Sequence, residues 1–325
     1  MALILNLNNI VFVLTMKDCI DVVEKAFAEL SNGSAYLPMR IGISPPEGVA
    51  LYMPAYLKEM DAMACKVVSV YNDNPSKFKI PRTIGKIILQ DPHSGNILAI
   101  MDGGYIAAVR TGAASAVATR LLARKDAGQT VGIFGAGIQG KTQLWGMSEV
   151  RNLSKAYIYD VSHEAAEKFA TNMSKMLNIV VEVATEPDTL TECDIICTAT
   201  SSKKPLFDGT KIKPGTHING IGSHSPSTRE LDSTVVKRSK FVGDNKEVCF
   251  KEAGDIIIPI QEGVIGYEHF YAELGEIITG KKAGRVNDKE ITIFKANGLA
   301  IQDVATAKLV YDLALEKGIG TRIDI

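Results

Sequence analysis

The period of the hydrophobic positions changes near the middle of the chain. Residues 3–14 are a nearly continuous apolar run, and they predict a strand or a strand–loop–strand. Thr15, with Asp18 three positions on, is an N-cap signal. Ile20, Val23, Phe27 and Leu30 then recur at helical spacing up to Gly33, a helix stop. From 36 to 101, Pro38, Pro45, Pro46, Pro54, Pro75, Pro81 and Pro92 punctuate short β-rich runs at Val49–Met53, Ala64–Tyr71, Ile84–Gln90 and Ile97–Met101. The stretch Asp91–Asn96 has the composition of a hairpin turn. This half predicts a mostly antiparallel sheet with one flanking helix.

Residues 104–124 are Ala-rich and free of Pro, and predict a long helix. Past a break at Asp126–Gly128, strands and helices alternate. Strands are expected at Thr130–Phe134, Ala156–Tyr159, Val180–Val183, Asp194–Thr198, Thr216–Ile221 and Lys240–Val242, with helices at 138–151, 162–177 and 187–192. Such β-α-β repetition predicts a parallel sheet with helices on both faces. A closing amphipathic helix over 297–317 is expected to bury Ile301, Ala305, Leu309 and Leu313. The fold class is therefore α/β: a Rossmann-type doubly wound sheet joined to an α+β domain.

Composition narrows the function classes. The chain has 325 residues, 46% hydrophobic and 22% charged, with 36 Lys+Arg against 37 Asp+Glu. That near-neutral balance lacks the basic footprint of a nucleic-acid binder. No apolar run reaches membrane-spanning length. Five cysteines (Cys19, Cys65, Cys193, Cys197 and Cys249) are scattered, odd in number and without a partner pair for a zinc site, so they read as small buried apolar residues; neither a disulfide framework nor a metal is expected. With no secretory signal pattern, a cytoplasmic location is expected.

The strongest local signal is Gly135-Ala-Gly137-Ile138-Gln139-Gly140, preceded by a predicted strand and opening a predicted helix. The first glycine permits the tight turn, the second lets backbone approach a pyrophosphate, and the third lets helix pack on strand, while the helix N-terminus offers N–H groups to the anion. Asp160 ends the next strand about 20 residues past Gly140, where a carboxylate accepts from the ribose hydroxyls. No Lys or Arg follows it until Lys168, so NAD is expected rather than NADP. Ala199, Thr200 and Ser201 follow the fourth strand, where they would line the nicotinamide-ribose pocket or simply form a turn. Because this fingerprint sits mid-chain, the leading residues are expected to form a separate domain that holds substrate.

In that leading domain three cations stand out. Arg40 lies in Leu-Pro-Met-Arg-Ile. Lys66 interrupts an apolar run, where it must either face solvent or do chemistry. Arg110 lies among small residues that leave room beside it. Arg suits bidentate capture of a carboxylate, and Lys can polarise a carbonyl or imine.

Together with Leu51–Tyr56, Lys66–Tyr71, Val109–Ser115, Gly135–Gly140, His217–Gly222, Arg229–Asp232 and Gly298–Asp303, these residues resemble the ornithine cyclodeaminase and mu-crystallin family over almost the whole chain. That family includes archaeal-type alanine dehydrogenases and cyclic ketimine reductases. The resemblance implies an NAD-dependent oxidoreductase acting on the C–N bond of a small amino or imino acid, with Arg40 and Arg110 clamping the substrate carboxylate and Lys66 beside the carbonyl or imine. It implies cofactor contacts at Thr83, Arg110, Thr111, Ile221 and Asn297 besides the fingerprint residues, and a homodimer formed through the substrate domain. Residues 1–117 and 300–325 would form that domain, and 118–299 the dinucleotide-binding one. Two departures stand against the cyclodeaminase branch, whose members convert ornithine to proline and ammonia. Leu51 stands where those enzymes carry a Glu for the ornithine side-chain amine, and His224 where they carry a catalytic Asp. Leu cannot compensate the desolvation of an ammonium group, whereas His can donate a proton near neutral pH.

Overall fold

A computed structural model describes residues 1–125 and 129–324. The break expected at Asp126–Gly128 lies outside the described residues. The chain divides into two compact units, Met1–Arg110 with Leu299–Ile325, and Thr111–Gly298.

In the first unit the leading apolar run is not all strand. β1 (Ala2–Leu5) gives way to helix α1 (Leu7–Val13). The reason is Asn6: it accepts the Asn9 N–H at 3.0 Å, and the Asn9 side chain accepts the Asn6 N–H at 3.0 Å. This reciprocal cap satisfies backbone donors that a strand would leave to a neighbour. α2 (Met16–Asn32) starts at Thr15, whose hydroxyl accepts the Asp18 N–H, and ends at Gly33 with φ +79°, as its signals predict. Strands β2 (Ala35–Tyr36), β3 (Ile41–Ile43), β4 (Gly48–Leu57), β5 (Ala62–Tyr71), β6 (Thr83–Gln90) and β7 (Ile97–Asp102) follow. With the C-terminal strand Thr321–Ile323 they form one sheet, ordered C-terminal strand–β1–β7–β6–β5–β4–β2, with β3 also on β4. All pairings are antiparallel except β1 with β7.

One sheet face is buried, through Met53, Ala55, Ala64, Lys66, Ile87 and Met101. The helix Ala300–Glu316 packs against β4, β5 and β6 as well as α2. It is not the amphipathic surface helix that Ile301, Ala305, Leu309 and Leu313 predict. From Ala300 to Ala307 every residue is buried, including Gln302, Asp303 and Thr306, while Leu309 and Leu313 are only partly covered. Buried polar groups on such a helix need partners, and they point to a site.

In the second unit the strands are β8 (Gln129–Phe134), β9 (Leu153–Tyr159), β10 (Val181–Val183), β11 (Ile195–Thr198), β12 (His217–Gly220), β13 (Ser239–Gly243), β14 (Phe270–Glu273) and β15 (Ile291–Lys295). All pair in parallel, in the order β10-β9-β8-β11-β12-β15-β13-β14. Helices Ile138–Val150 and His163–Leu177 connect the first three strands. The order reverses between β8 and β11, the topological switch point of a doubly wound sheet. β14 and β15 lie beyond the last strand the sequence pattern predicts. β15 is fully buried, but Thr292 and Lys295 break its apolar run. Thr292 Oγ1 donates to the Leu122 carbonyl at 3.0 Å, and Lys295 pairs with Asp255 at 3.1 Å.

Candidate active site

A cleft of about 600 Å³ opens at the switch point of the parallel sheet. Its lining includes Gly135, Gly137, Ile138, Gln139, Asp160, Ala199, Thr200 and Ser201. The three glycines differ physically. Gly135 has φ +101°, and a Cβ there would lie 2.5 Å from the Ala199 carbonyl oxygen; a Cβ on Gly140 would lie 2.0 Å from the Gly135 oxygen. Both are demanded by the turn and its packing. A Cβ on Gly137 would meet nothing within 4 Å. Gly137 is extended and caps the helix Ile138–Val150, so its lack of a side chain matters only to what enters the cleft.

Asp160 stands at the rim, at the end of β9. Its carboxylate accepts the Ala136 N–H at 2.8 Å and the Ser162 N–H at 2.9 Å, which holds the carboxylate in place with acceptor capacity left over. No Lys or Arg lines the cleft among the described residues. An open helix N-terminus, a glycine facing the opening and a carboxylate at the rim fit a dinucleotide without a 2′-phosphate.

The floor of the cleft is held by a group the sequence pattern does not single out. Glu230 is fully buried, and burial together with nearby Asp255 raises its pKa. It accepts from the Thr198 hydroxyl, the Thr200 N–H and hydroxyl, and the Gly222 N–H, each at 2.7 Å. Ile221 is buried beside this contact, its N–H donating to the Thr198 carbonyl at 2.8 Å. Asn297 is buried past the end of β15. Its N–H donates to Asp244 at 2.7 Å, but its side-chain Nδ2 has no hydrogen-bond partner among the described residues. A buried unpaired donor is costly unless a ligand meets it. Thr111 is buried, and its carbonyl accepts from Gln143.

In the first unit, register brings the cations together. Lys66 on β5 pairs with Met53 on β4 and Ile87 on β6, so its side chain shares their buried face. Arg40 precedes β3, whose Ile41 pairs with Tyr52, and so reaches the same row one step on. Its charge is felt at Lys66. Lys66 Nζ donates to Asp303 Oδ2 at 2.6 Å, and Arg110 Nε donates to Asp303 Oδ1 at 3.0 Å. Arg110 Nη1 donates to Gln302 Oε1 at 2.5 Å, while Gln302 Nε2 has no partner among the described residues.

One carboxylate thus stands between two buried cations, leaving an excess positive charge that suits an anionic ligand. Burial, partly offset by Asp303 and reinforced by Arg110, brings the Lys66 ammonium down to about 8. With only 4% of Lys66 exposed, the alternative of a solvent-facing lysine is excluded. Asp303 and Gln302 are the residues that reasoning on Lys66 and Arg110 alone misses; the signal for them is two adjacent polar positions in the otherwise apolar start of that helix, Ala300–Ala305. Leu51 pairs with Val68, two positions along both strands from Met53 and Lys66, so it lies diagonally from the lysine on the same face. Thr83 begins β6 and is exposed, and His224 is exposed in the loop after β12. No group of three or more His, Cys, Asp or Glu among the described residues could hold a metal, and no helix among them is long and apolar enough to cross a membrane.

Comparison with known proteins agrees with this arrangement. An alanine dehydrogenase of Archaeoglobus fulgidus is 38% identical over 99% of the chain and 98% of its own length. The structure of Thermococcus litoralis Delta(1)-pyrroline-2-carboxylate reductase in complex with NADH and L-proline superposes with a TM-score of 0.95 at 48% identity, covering 99% of this chain and all of that one. An archaeal alanine dehydrogenase dimer with bound NAD gives 0.94 at 36% identity, covering 100% of this chain and 99% of that one. The ornithine cyclodeaminase/mu-crystallin family model matches residues 2–318, and the chain belongs to that family.

Proposed function

We propose that this protein is an NAD-dependent oxidoreductase that reduces the C=N bond of a small cyclic imino acid of the pyrroline-2-carboxylate type. The observation that carries the reading is the buried Lys66–Asp303–Arg110 cluster with its excess positive charge. Its closeness to the Thermococcus reductase supports the cyclic substrate. Arg40 and Arg110 bind the carboxylate. Lys66, as an ammonium, donates a hydrogen bond to the neutral imine nitrogen and draws electrons toward it as hydride adds to the carbon. His224 supplies the proton that this nitrogen takes up as the C=N bond becomes an amine. The bound nicotinamide supplies the hydride. Thr111, Gly135, Gly137, Ile138, Gln139, Gly140, Asp160, Ala199, Thr200, Ser201, Ile221 and Asn297 make up the dinucleotide site. The first unit is thereby the substrate-binding domain and the second the cofactor-binding one.

The same reading makes the chain a homodimer through its first unit. The sheet face opposite Lys66 carries partly exposed Tyr52, Pro54, Cys65, Val67, Ile84 and Ile88, an apolar surface of the kind subunits cover. A related alanine dehydrogenase is a dimer. The enzyme is read as cytoplasmic, in keeping with five unpaired thiols.

A second reading, reductive amination of a 2-oxo acid as in the Archaeoglobus relative, is favoured by that chain's end-to-end similarity. Purified protein is assayed with NADH against pyrroline-2-carboxylate, piperideine-carboxylate, and pyruvate with ammonia. Fastest oxidation of NADH with the cyclic imines is expected. Preference for pyruvate and ammonia would favour the second reading, and proline formed from ornithine without net NADH would overturn both.

A further inference from the structure

A buried carboxylate outside the cleft governs its shape. We infer that Glu230 is a positioning residue for the cofactor site: it ties the loop after β11 to the loop after β12, and affinity for the dinucleotide depends on a carboxylate at this position. The inference rests on the reading of the switch-point cleft as a dinucleotide site.

The geometry is specific to a carboxylate. Glu230 Oε1 accepts the Thr200 N–H and hydroxyl, and Oε2 accepts the Gly222 N–H and the Thr198 hydroxyl, all at 2.7 Å. Each oxygen therefore meets one backbone N–H. A hydroxyl can rotate and turn acceptor, but a backbone N–H cannot. An amide in place of the carboxylate must point its NH₂ at one of these two part-buried N–H groups, leaving that N–H without its acceptor. Isosteric Gln, often a tolerated replacement for Glu, is thus wrong here for a reason unrelated to size.

The loops are also packed without slack. A Cβ on Gly222 would fall 2.3 Å from the Thr200 carbonyl oxygen and 2.4 Å from Glu230 Oε1, and one on Gly135 would fall 2.5 Å from the Ala199 carbonyl oxygen. The loop that Glu230 holds therefore abuts the turn of the glycine fingerprint, and a displacement at Thr200 changes the cleft lining at Ala199 and Ser201. Glu230 is itself held from behind. Asp255 Oδ1 accepts the Glu230 N–H at 2.8 Å and the Leu231 N–H at 3.0 Å, while Asp255 pairs with Lys295. Glu230 does not line the cleft, so its effect on a ligand is exerted through the loops it pins.

The test combines Glu230→Gln with Thr198→Val, which removes one Glu230 contact from a fully buried position that does not line the cleft. Amide exchange of peptides covering 198–202 and 220–224 is measured on ligand-free protein, and NADH affinity by fluorescence titration below the melting midpoint of each variant. Glu230→Gln is expected to speed exchange in both peptides and weaken NADH binding roughly tenfold or more, the effect of about 1–3 kcal/mol for an unpaired buried donor. Thr198→Val should do the same to a smaller degree, about threefold, for the loss of about 0.5–1.5 kcal/mol in one hydrogen bond. Unchanged exchange and NADH affinity within twofold of the wild type, in Glu230→Gln or, should that variant not fold, in Thr198→Val, would overturn the inference. Wild-type protein that binds neither NADH nor NADPH would overturn the cofactor reading instead, and exchange in the ligand-free variants would still report whether Glu230 pins the loops.

Discussion

Each unit buries a trio of charged side chains, and the two trios are built to opposite ends. In the first, Lys66 and Arg110 flank Asp303: two cations share one carboxylate, a half-buried Arg40 adds to the field, and the Gln302 amide nitrogen has no hydrogen-bond partner among the described residues. In the second, Asp255 pairs with Lys295, Glu230 feels the charge of both, and each carboxylate collects two backbone N–H groups. Burying charge is costly in both places. The first trio, two cations to one carboxylate, leaves a positive excess that suits an anion from outside. The second spends its negative charge on the chain's own amides. Buried charge alone therefore does not mark a binding site; an imbalance with capacity to spare does.

The sharpest way to break that contrast is to remove the unbalanced cation. Lys66→Ala should reduce kcat with the preferred imino acid by about 10²–10⁴-fold, the range for loss of a positioned proton-donating group, while NADH titration remains near the wild-type curve. A loss of NADH binding as large as the loss of turnover would show that Lys66 supports the fold, as the second trio does.

Neutralising one ion-paired carboxylate in each trio comes next. Asp303→Asn and Asp255→Asn should each lower stability by about 3–5 kcal/mol, because the first takes the shared carboxylate from Lys66 and Arg110 and the second takes from Lys295 the carboxylate it pairs with. They should part in their pH dependence. Burial sets the Lys66 ammonium at about 8, so kcat/KM should fall as pH rises through that value and the proton is lost. Asp303 opposes the effect of burial, so in Asp303→Asn the proton leaves more readily and the fall should begin at lower pH. Asp255→Asn should leave this limb where it is. Equal displacement of the limb in both variants would mean that the two trios are not functionally distinct.

The contrast also explains what the sequence reveals. The glycine fingerprint is local: strand, turn and helix are contiguous, and Gly135, Gly140 and Asp160 can be read from spacing alone. The first trio is assembled from β5, from the helix that begins at Gly103 and from the C-terminal helix, so Lys66 and Arg110 stand out as cations in apolar runs but their shared partner does not. Asp303 is hidden because the pattern of Ile301, Ala305, Leu309 and Leu313 predicts a helix with one wet face, whereas packing against both the sheet and α2 buries its first two turns on every side. β15 is hidden for a related reason: Thr292 and Lys295 look polar in sequence and become buried only once their partners are in place. At the start of the chain the capping pair Asn6 and Asn9 outweighs a run of β-branched and aromatic residues that reads as strand. What stays illegible is wherever a polar residue's role depends on a partner far along the chain.

The same distinction between groups held for the fold and groups left open for a ligand reaches down to single glycines, and it gives the smallest predicted effect. Gly140→Ala sets a methyl 2.0 Å from the Gly135 carbonyl oxygen, so it must distort the turn and lower the melting midpoint along with NADH affinity. Gly137→Ala sets its methyl where, apart from its chain neighbours, no atom of the described residues lies within 4 Å, on an extended residue whose conformation alanine adopts readily. The protein has no reason to resist this change beyond the roughly 0.5–1 kcal/mol by which alanine is a poorer helix cap than glycine. A pyrophosphate approaching the helix N-terminus does, because the methyl occupies its path. The expected outcome is a melting curve close to wild type in the ligand-free protein and NADH affinity weakened about tenfold, or about 1.4 kcal/mol. If Gly137→Ala binds NADH as the wild type does, the dinucleotide does not pass over Gly137, and the cleft's opening at the helix N-terminus has another use.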